Sequence, residues 1–128
     1  MASLQERLLA VLSDVLPVDA ESDGALTVHH RGTIASLRAV PINEDLDLVS
    51  LTQVLAWDLV ASKKVRDTVA EQAQSTLLGS VNLVTKGKSA DVLLRYNFPG
   101  NGLNDEALRT LILMVVDKGA EIRAALTS

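Results

Sequence analysis

Two adjacent histidines, His29 and His30, are the residues whose chemistry could most readily build a metal or hydrolytic site. They stand in a stretch rich in β-branched residues. Adjacent side chains on a strand point to opposite faces, so the pair could not hold one metal ion in the usual way. The chain has no cysteine, no carboxylate lies at helical spacing from either histidine, and no serine stands in a G-x-S-x-G elbow. We therefore predict no metal site and no catalytic triad.

Glycine segments and isolated charges do not supply a catalytic pattern either. Gly87 and the Gly-Asn-Gly segment at 100–102 lack the spacing of nucleotide-binding loops, so we interpret both as turns. Asp91 and Arg95 lie four residues apart on one face of a predicted strand, which is typical of a solvated polar surface. Burial could shift the pKa of the Asp58 carboxyl, but the sequence identifies no partner acid, base or metal ligand for it. We predict that the protein is not an enzyme and uses no cofactor.

The length and composition predict one domain with an aliphatic core. A chain of 128 residues buries about two-thirds of the surface that it exposes when unfolded. Hydrophobic residues make up 48% of the chain, but the aromatic ones are only Trp57, Tyr96 and Phe98. Leu, Val, Ile and Ala must therefore fill the core. No repeat or internal boundary is visible, so residues 1–128 are expected to form a single domain.

Charge and hydropathy indicate the class of partner and the compartment. The net charge of −4 disfavours phosphate backbones as partners, because nonspecific nucleic-acid binding needs clustered Lys and Arg. Residues 4–16 carry Glu6, Arg7 and Asp14 and so make a poor signal peptide. Uncharged runs such as residues 111–116 fall well short of the roughly 20 residues that cross a bilayer. We expect a soluble, cytoplasmic protein that binds neither nucleic acid nor membranes.

The first helix is predicted from a capping pattern followed by regular apolar spacing. Ser3 and Glu6 match a capping box, in which each side chain accepts a hydrogen bond from the backbone of the other. Apolar residues then recur every three or four positions until Pro17, which disfavours helical geometry in the residue before it. The predicted helix covers residues 3–16. The acidic stretch at 19–24 has turn composition and is expected to form a link.

Two further helices are predicted from the same signals. Ser62 can cap a short amphipathic helix, and Asn104 can cap a longer one whose apolar face continues to Leu126. Gly119 lies inside the long helix and weakens it by about 1 kcal/mol relative to alanine. A glycine at this position indicates either a close contact with another element or a local bend.

Five strands are predicted between these helices. Residues 25–30 and 33–42 are rich in β-branched residues and flank a glycine-containing turn, and a final hairpin spans residues 77–98. The third strand lies between them. If its side chains alternate, one face carries Val49, Leu51, Leu55, Trp57 and Leu59. Leu48 and Val54 fall on the other face and leave apolar surface there that the core does not explain.

The element order α-β-β-β-α-β-β-α predicts an α+β fold, with helices packed on one face of an antiparallel five-stranded sheet. With this order the chain resembles the YbjN-like family of the type III secretion chaperone-like fold. Two segments carry the resemblance to actinobacterial members most specifically. They are residues 51–59 (LTQVLAWDL) and residues 94–99 (LRYNFP) leading into residues 103–108 (LNDEAL).

The resemblance implies a non-catalytic, chaperone-like module that binds a protein or an extended peptide segment and forms a homodimer. Apolar surface beyond the needs of one core often marks an interface. The candidate interaction surface therefore consists of Leu48, Val54, Trp57 and Val116.

Two other classes of function remain open. A small-molecule-binding sensory or regulatory domain would hold a ligand between the sheet and the helices. An enzyme of unrecognised type would need polar groups converging in a pocket, which the alternation patterns do not suggest. Partner recovery from lysate and a metabolite thermal-shift panel would discriminate the first two classes.

Overall fold

The computed structural model describes residues 2–128 and contains three helices and six strands. Over these residues, none of the helices has the length and apolarity needed to cross a lipid bilayer. In chain order the elements are α1 (Leu4–Ser13), β1 (Val18–Ala20), β2 (Leu26–His30), β3 (Thr33–Asn43), β4 (Leu46–Val60), α2 (Lys63–Ser75), β5 (Ser80–Lys86), β6 (Ser89–Pro99) and α3 (Asp105–Thr127).

The sheet has six strands in the order β1-β2-β3-β4-β6-β5, and every neighbouring pair is antiparallel. The predicted α+β class and antiparallel arrangement are confirmed, but the prediction of five strands is wrong. The additional strand is β1, in which Val18 pairs with Val28 and Ala20 pairs with Leu26. Its three residues include Asp19, and backbone pairing with β2 holds them extended, a long-range effect that turn composition does not report.

The caps of all three helices are confirmed. Ser3 and Glu6 exchange the reciprocal hydrogen bonds of a capping box, while the side chains of Ser62 and Asn104 each accept a backbone N–H from three residues later. The first helix ends at Ser13 rather than at residue 16. Between the helix and Pro17 one hydrogen bond is of the 3₁₀ type, because the N–H of Val15 donates to the carbonyl of Leu12.

The three helices cover one face of the sheet and enclose an aliphatic core. Alternating residues of β2, β3, β4 and β6 point toward the helices and are buried, whereas their neighbours are partly or largely exposed. The opposite face, which we call the open face, carries no helix. The largest fully buried apolar side chains are Leu8, Leu12, Leu26, Leu37, Leu51, Leu55, Leu94, Leu108, Ile112 and Ile122.

Two irregularities in β4 break the alternation predicted for this strand. The pairing with β6 shifts register between Val54 and Ala56 and again between Ala56 and Leu59, and Asp58 adopts a positive φ of 55°. Each extra residue of a bulge turns the following side chains relative to the sheet. Trp57, predicted to share a face with Leu55, is consequently 46% exposed.

α3 approaches the sheet closely where Gly119 meets Gln53. The Gln53 side chain is fully buried, and its Nε2 donates to Thr33 Oγ1 at 2.8 Å and to the Val116 carbonyl at 3.1 Å. A Cβ at position 119 would overlap the amide group of Gln53. Of the two roles open to Gly119, the structure supports the close contact.

Replacing Gly119 with alanine should therefore destabilise the protein, although alanine favours helices. To accommodate the added methyl, either the Gln53 amide must move, which strains its bonds to Thr33 and Val116, or α3 must move away from the sheet. Overpacking of this kind typically costs about 1–3 kcal/mol. Urea denaturation followed by circular dichroism should show that decrease in the free energy of unfolding.

The matched control is Gly102→Ala, because a Cβ there meets no atom within 4 Å. Its stability should be close to that of the unchanged protein. The double variant Gly119→Ala/Gln53→Ala should be less destabilised than the sum of its two single changes. A Gly119→Ala protein more stable than the parent would contradict the packing described for α3.

Candidate interaction surface

The four residues predicted to form an interaction surface do not lie together. Leu48 and Val54 are partly buried and belong to the open face, six residues apart on β4. Their separation along the strand is about 20 Å. Trp57 lies beyond them, at the bulge. Val116 is 0% exposed, because α3 presses it against the sheet, so it belongs to the core and not to a surface.

The open face carries one apolar row around Val54 and another around Leu48. Val54 stands directly between Ile34 and Leu93, and we call these three residues the Val54 row. Leu48 stands between Val40 and Pro99, and these three form the Leu48 row. Ile34 is 40% exposed and Val40 36% exposed. Sequence reasoning found the central residue of each row but missed the flanking ones, since strand pairing brings them together.

Polar residues separate the two apolar rows, and both charged ones are arginines. Arg38 Nη2 makes a 2.6 Å contact with Asp23 Oδ2. Arg95, on β6, pairs with Thr52 of β4. Its exposed guanidinium makes no ion pair or hydrogen bond with any residue between 2 and 128. The expectation that Arg95 belongs to a solvated face is met. It does not, however, share a network with Asp91.

Asp91 instead supports the bulge in β4. Its Oδ1 accepts the Asp58 N–H at 3.0 Å, and Lys86 Nζ lies 2.9 Å from its Oδ2 and 3.7 Å from Asp58 Oδ1. The Asp58 N–H, followed by the Lys86 ammonium, lowers the pKa of the Asp91 carboxyl. Asp58, for which the sequence showed no partner, thus belongs to a structural ion-pair cluster.

Next to the bulge, Trp57 contacts Arg123, near the end of α3. The Arg123 guanidinium lies 5.2 Å from the centre of the indole ring, and its Nη1 donates to the Leu55 carbonyl at 2.9 Å. Such a cation–π contact contributes about 0.5–1 kcal/mol at an exposed site. We interpret this contact as a fastening of α3 to the sheet.

The two histidines point away from each other, as predicted. His29 Nε2 lies 3.6 Å from Asp19 Oδ2 on β1, while His30 Nε2 lies 2.8 Å from Asp117 Oδ1 on α3. Within residues 2–128, no group of three or more potential metal ligands comes together. Each histidine therefore lies next to a carboxylate of a different element, and only the His30 side chain is largely buried.

A groove lies on the helical side of the molecule, between the end of α2 and α3. Its volume is about 350 Å³, and we call it the α2–α3 groove. Leu77 stands at its border with 83% of its surface exposed. The lining residues are Ser75, Leu77, Leu78, Met114, Val115, Asp117, Lys118 and Glu121.

The assignment of Val54 to the open face can be tested by placing a charge there. Val54→Asp should fold and lower the free energy of unfolding by no more than about 1 kcal/mol, the usual span of strand propensities. Leu51→Asp, three residues earlier on the buried face, should unfold the protein, because it places a carboxylate in the core. Urea denaturation measures both. An equal loss of unfolding free energy in the two variants would contradict the assignment of Val54 to the open face.

Comparison with known proteins identifies the fold and not a sequence family. No protein-family model matches the chain, and no curated protein matches it in sequence. Among solved structures it is similar to YbjN from E. coli, described as a proposed transcription regulator. That match has a TM-score of 0.63 at 14% identity and covers 98% of this chain and 90% of YbjN.

A second similar structure is the Yersinia pestis type III secretion chaperone SycH, solved in complex with a stable fragment of YscM2. The TM-score is 0.55 at 17% identity, and the match covers 94% of this chain and 99% of SycH. Sequence identity at this level speaks for the fold alone. The chain therefore has the YbjN-like, type III secretion chaperone-like fold that its element order predicted.

Proposed function

We propose that the protein is a non-catalytic, chaperone-like module that binds an extended segment of another protein. The observation that carries the proposal is the open face, on which the Val54 row and the Leu48 row remain solvent-accessible. Apolar side chains grouped on one surface of a soluble domain often mark a binding site. The absence of cysteine is compatible with the cytoplasm, where we propose that the module acts.

The fold supports a protein partner. SycH, which is similar over nearly its whole length, was solved with a fragment of YscM2 bound. The description of YbjN as a proposed regulator is compatible with control exerted through protein binding. The net charge of −4 gives this chain little attraction for phosphate backbones, so we favour a protein partner over a nucleic acid.

Selection from a random-peptide display library should test this function. The immobilised protein should enrich segments that bind with micromolar dissociation constants in calorimetry, with a negative heat-capacity change because apolar surface is buried. Val54→Asp should raise the dissociation constants of the enriched peptides about tenfold or more, equivalent to the loss of about 1.4 kcal/mol of binding free energy.

The matched control for this change is Val60→Asp. Val60 is 75% exposed and lies on the same strand, beyond the bulges. The substitution should leave peptide binding unchanged. The proposed function would be contradicted if repeated selections enriched no peptide more strongly on the protein than on a surface without protein.

We also propose that two copies associate through the α2–α3 groove. Leu77 projects beside a groove lined by Leu78 and Met114, so one surface offers both a protruding side chain and a place to receive it. Lys118 and Glu121 place opposite charges on the same rim. A two-fold axis brings such a surface against itself. The same groove is the feature that supports the alternative of a small-molecule ligand.

Light scattering after size-exclusion chromatography should give twice the chain mass at micromolar concentration. Leu77→Asp should yield a folded monomer, because the charge would have to be buried at the interface. Val60→Asp again supplies the control and should remain dimeric. A monomer in the unchanged protein would contradict the dimer, and a thermal-shift hit in a metabolite panel that Leu77→Asp abolishes would favour the ligand.

A further inference from the structure

We propose that the segment bound on the open face is acidic, with a carboxylate paired to Arg95 and apolar side chains on the Val54 and Leu48 rows. This inference rests on the proposed function and specifies its partner. The region between the two rows contrasts with the whole chain, whose net charge is −4. Between the two rows, β3, β4 and β6 present only Arg38 and Arg95 as charged residues on this face.

Arg95 is the cation available to a partner. Arg38 is already paired with Asp23. Arg95 stands opposite Thr52 on one side and Ser80 on the other, and both neighbours are neutral. A guanidinium can receive a carboxylate through two parallel hydrogen bonds, an arrangement that a lysine cannot reproduce. Once a segment covers the apolar side chains nearby, the pair lies in a medium of lower dielectric constant, and the attraction strengthens.

The register of the sheet defines the spacing of the segment. Along one face of a strand, side chains recur every second residue. Leu93, of the Val54 row, lies two residues before Arg95 on β6, and Pro99, of the Leu48 row, lies four residues after it. A segment that lies extended along the strands would match this pattern if it carried an apolar residue, an acidic residue two positions later, and a second apolar residue four positions after the acidic one. The reverse order would serve a segment running the other way.

Steering provides a second reason for an acidic partner. Charged side chains at an interface act mainly on association rate and on the rejection of wrong partners. A basic residue placed between the two rows would meet Arg95 and would be repelled. An acidic residue placed there would be attracted, although the molecule as a whole is negative. The open face thereby selects among apolar segments that would otherwise bind alike.

The test uses three fluorescently labelled synthetic peptides that share apolar residues at the stated spacing and carry Glu, Gln or Lys at the acidic position. Anisotropy titrations should show the Glu peptide binding about tenfold more tightly than the Gln peptide, and the Lys peptide binding most weakly. Added salt should reduce the difference, because the pair forms near the surface. Arg95→Glu should reverse the preference, so that the Lys peptide binds more tightly than the Glu peptide.

Arg66→Glu is the matched control. Arg66 is an exposed arginine on α2 without an ion pair inside residues 2–128, and it lies on the helical side of the sheet. This variant should keep the preference for the Glu peptide. Circular dichroism should show that both arginine variants are folded, since each side chain is exposed.

The outcomes separate this inference from the function on which it rests. Display-selected peptides that bind equally to the parent, Arg95→Glu and Arg66→Glu would overturn the acidic partner and leave the peptide-binding function standing. A change in oligomeric mass caused by Arg95→Glu would assign the face to a second copy of the chain and would also overturn it. If neither selected nor designed peptides bind, both proposals fail. The inference is supported if Arg95→Glu reverses the charge preference and Arg66→Glu does not.

Discussion

The contact between Gly119 and the Gln53 amide fixes how α3 packs on the sheet, and the division of the sheet into a covered and an open face depends on that packing. Because position 119 has no side chain, α3 approaches the sheet closely enough for the Val116 carbonyl to accept a hydrogen bond from Gln53. The same amide donates to Thr33, whose hydroxyl in turn donates to the His30 carbonyl. This buried chain joins β4, β3, the end of β2 and the last helix in one unit. Gln53 Nε2 makes both of its hydrogen bonds in this chain, whereas Oε1 has no hydrogen-bond partner within residues 2–128. Losing the two Nε2 bonds would leave the whole buried amide unpaired at a further cost in free energy, which restricts the registers that the sheet and helix can adopt.

The seating of α3 also explains why one face of the sheet remains uncovered. Residues 2–128 contain three helices, and all of them pack on the side that Gln53 faces. The other face must be compatible with water and is mostly polar, yet it retains two apolar rows. At one border the outermost strand, β1, is only three residues long. Short edge strands limit unwanted pairing of sheet edges.

The parts of the fold that were predictable are those controlled by neighbours in sequence. The Ser3–Glu6 capping box and the β5–β6 hairpin depend on residues a few positions apart, and both were predicted correctly. β1 forms because β2 pairs with it, and its three residues carry little strand signal of their own. The bulges of β4 depend on alignment with β6, so alternation misplaced Trp57. The apolar rows span three strands, and only the central residues Leu48 and Val54 stood out in the sequence.

The two surfaces of the proposed function lie on opposite sides of one monomer, and this arrangement has a consequence for affinity. The α2–α3 groove is on the helical side, so two copies joined there would turn their open faces outward. Neither association would then obstruct the other. A long client with two suitable segments could engage both faces, and the second contact would be intramolecular. Linked contacts of this kind raise overall affinity by about 10²–10⁴ when the linker spans the sites. A client of that kind could therefore be held firmly although each face binds only weakly, and released readily when either contact is lost.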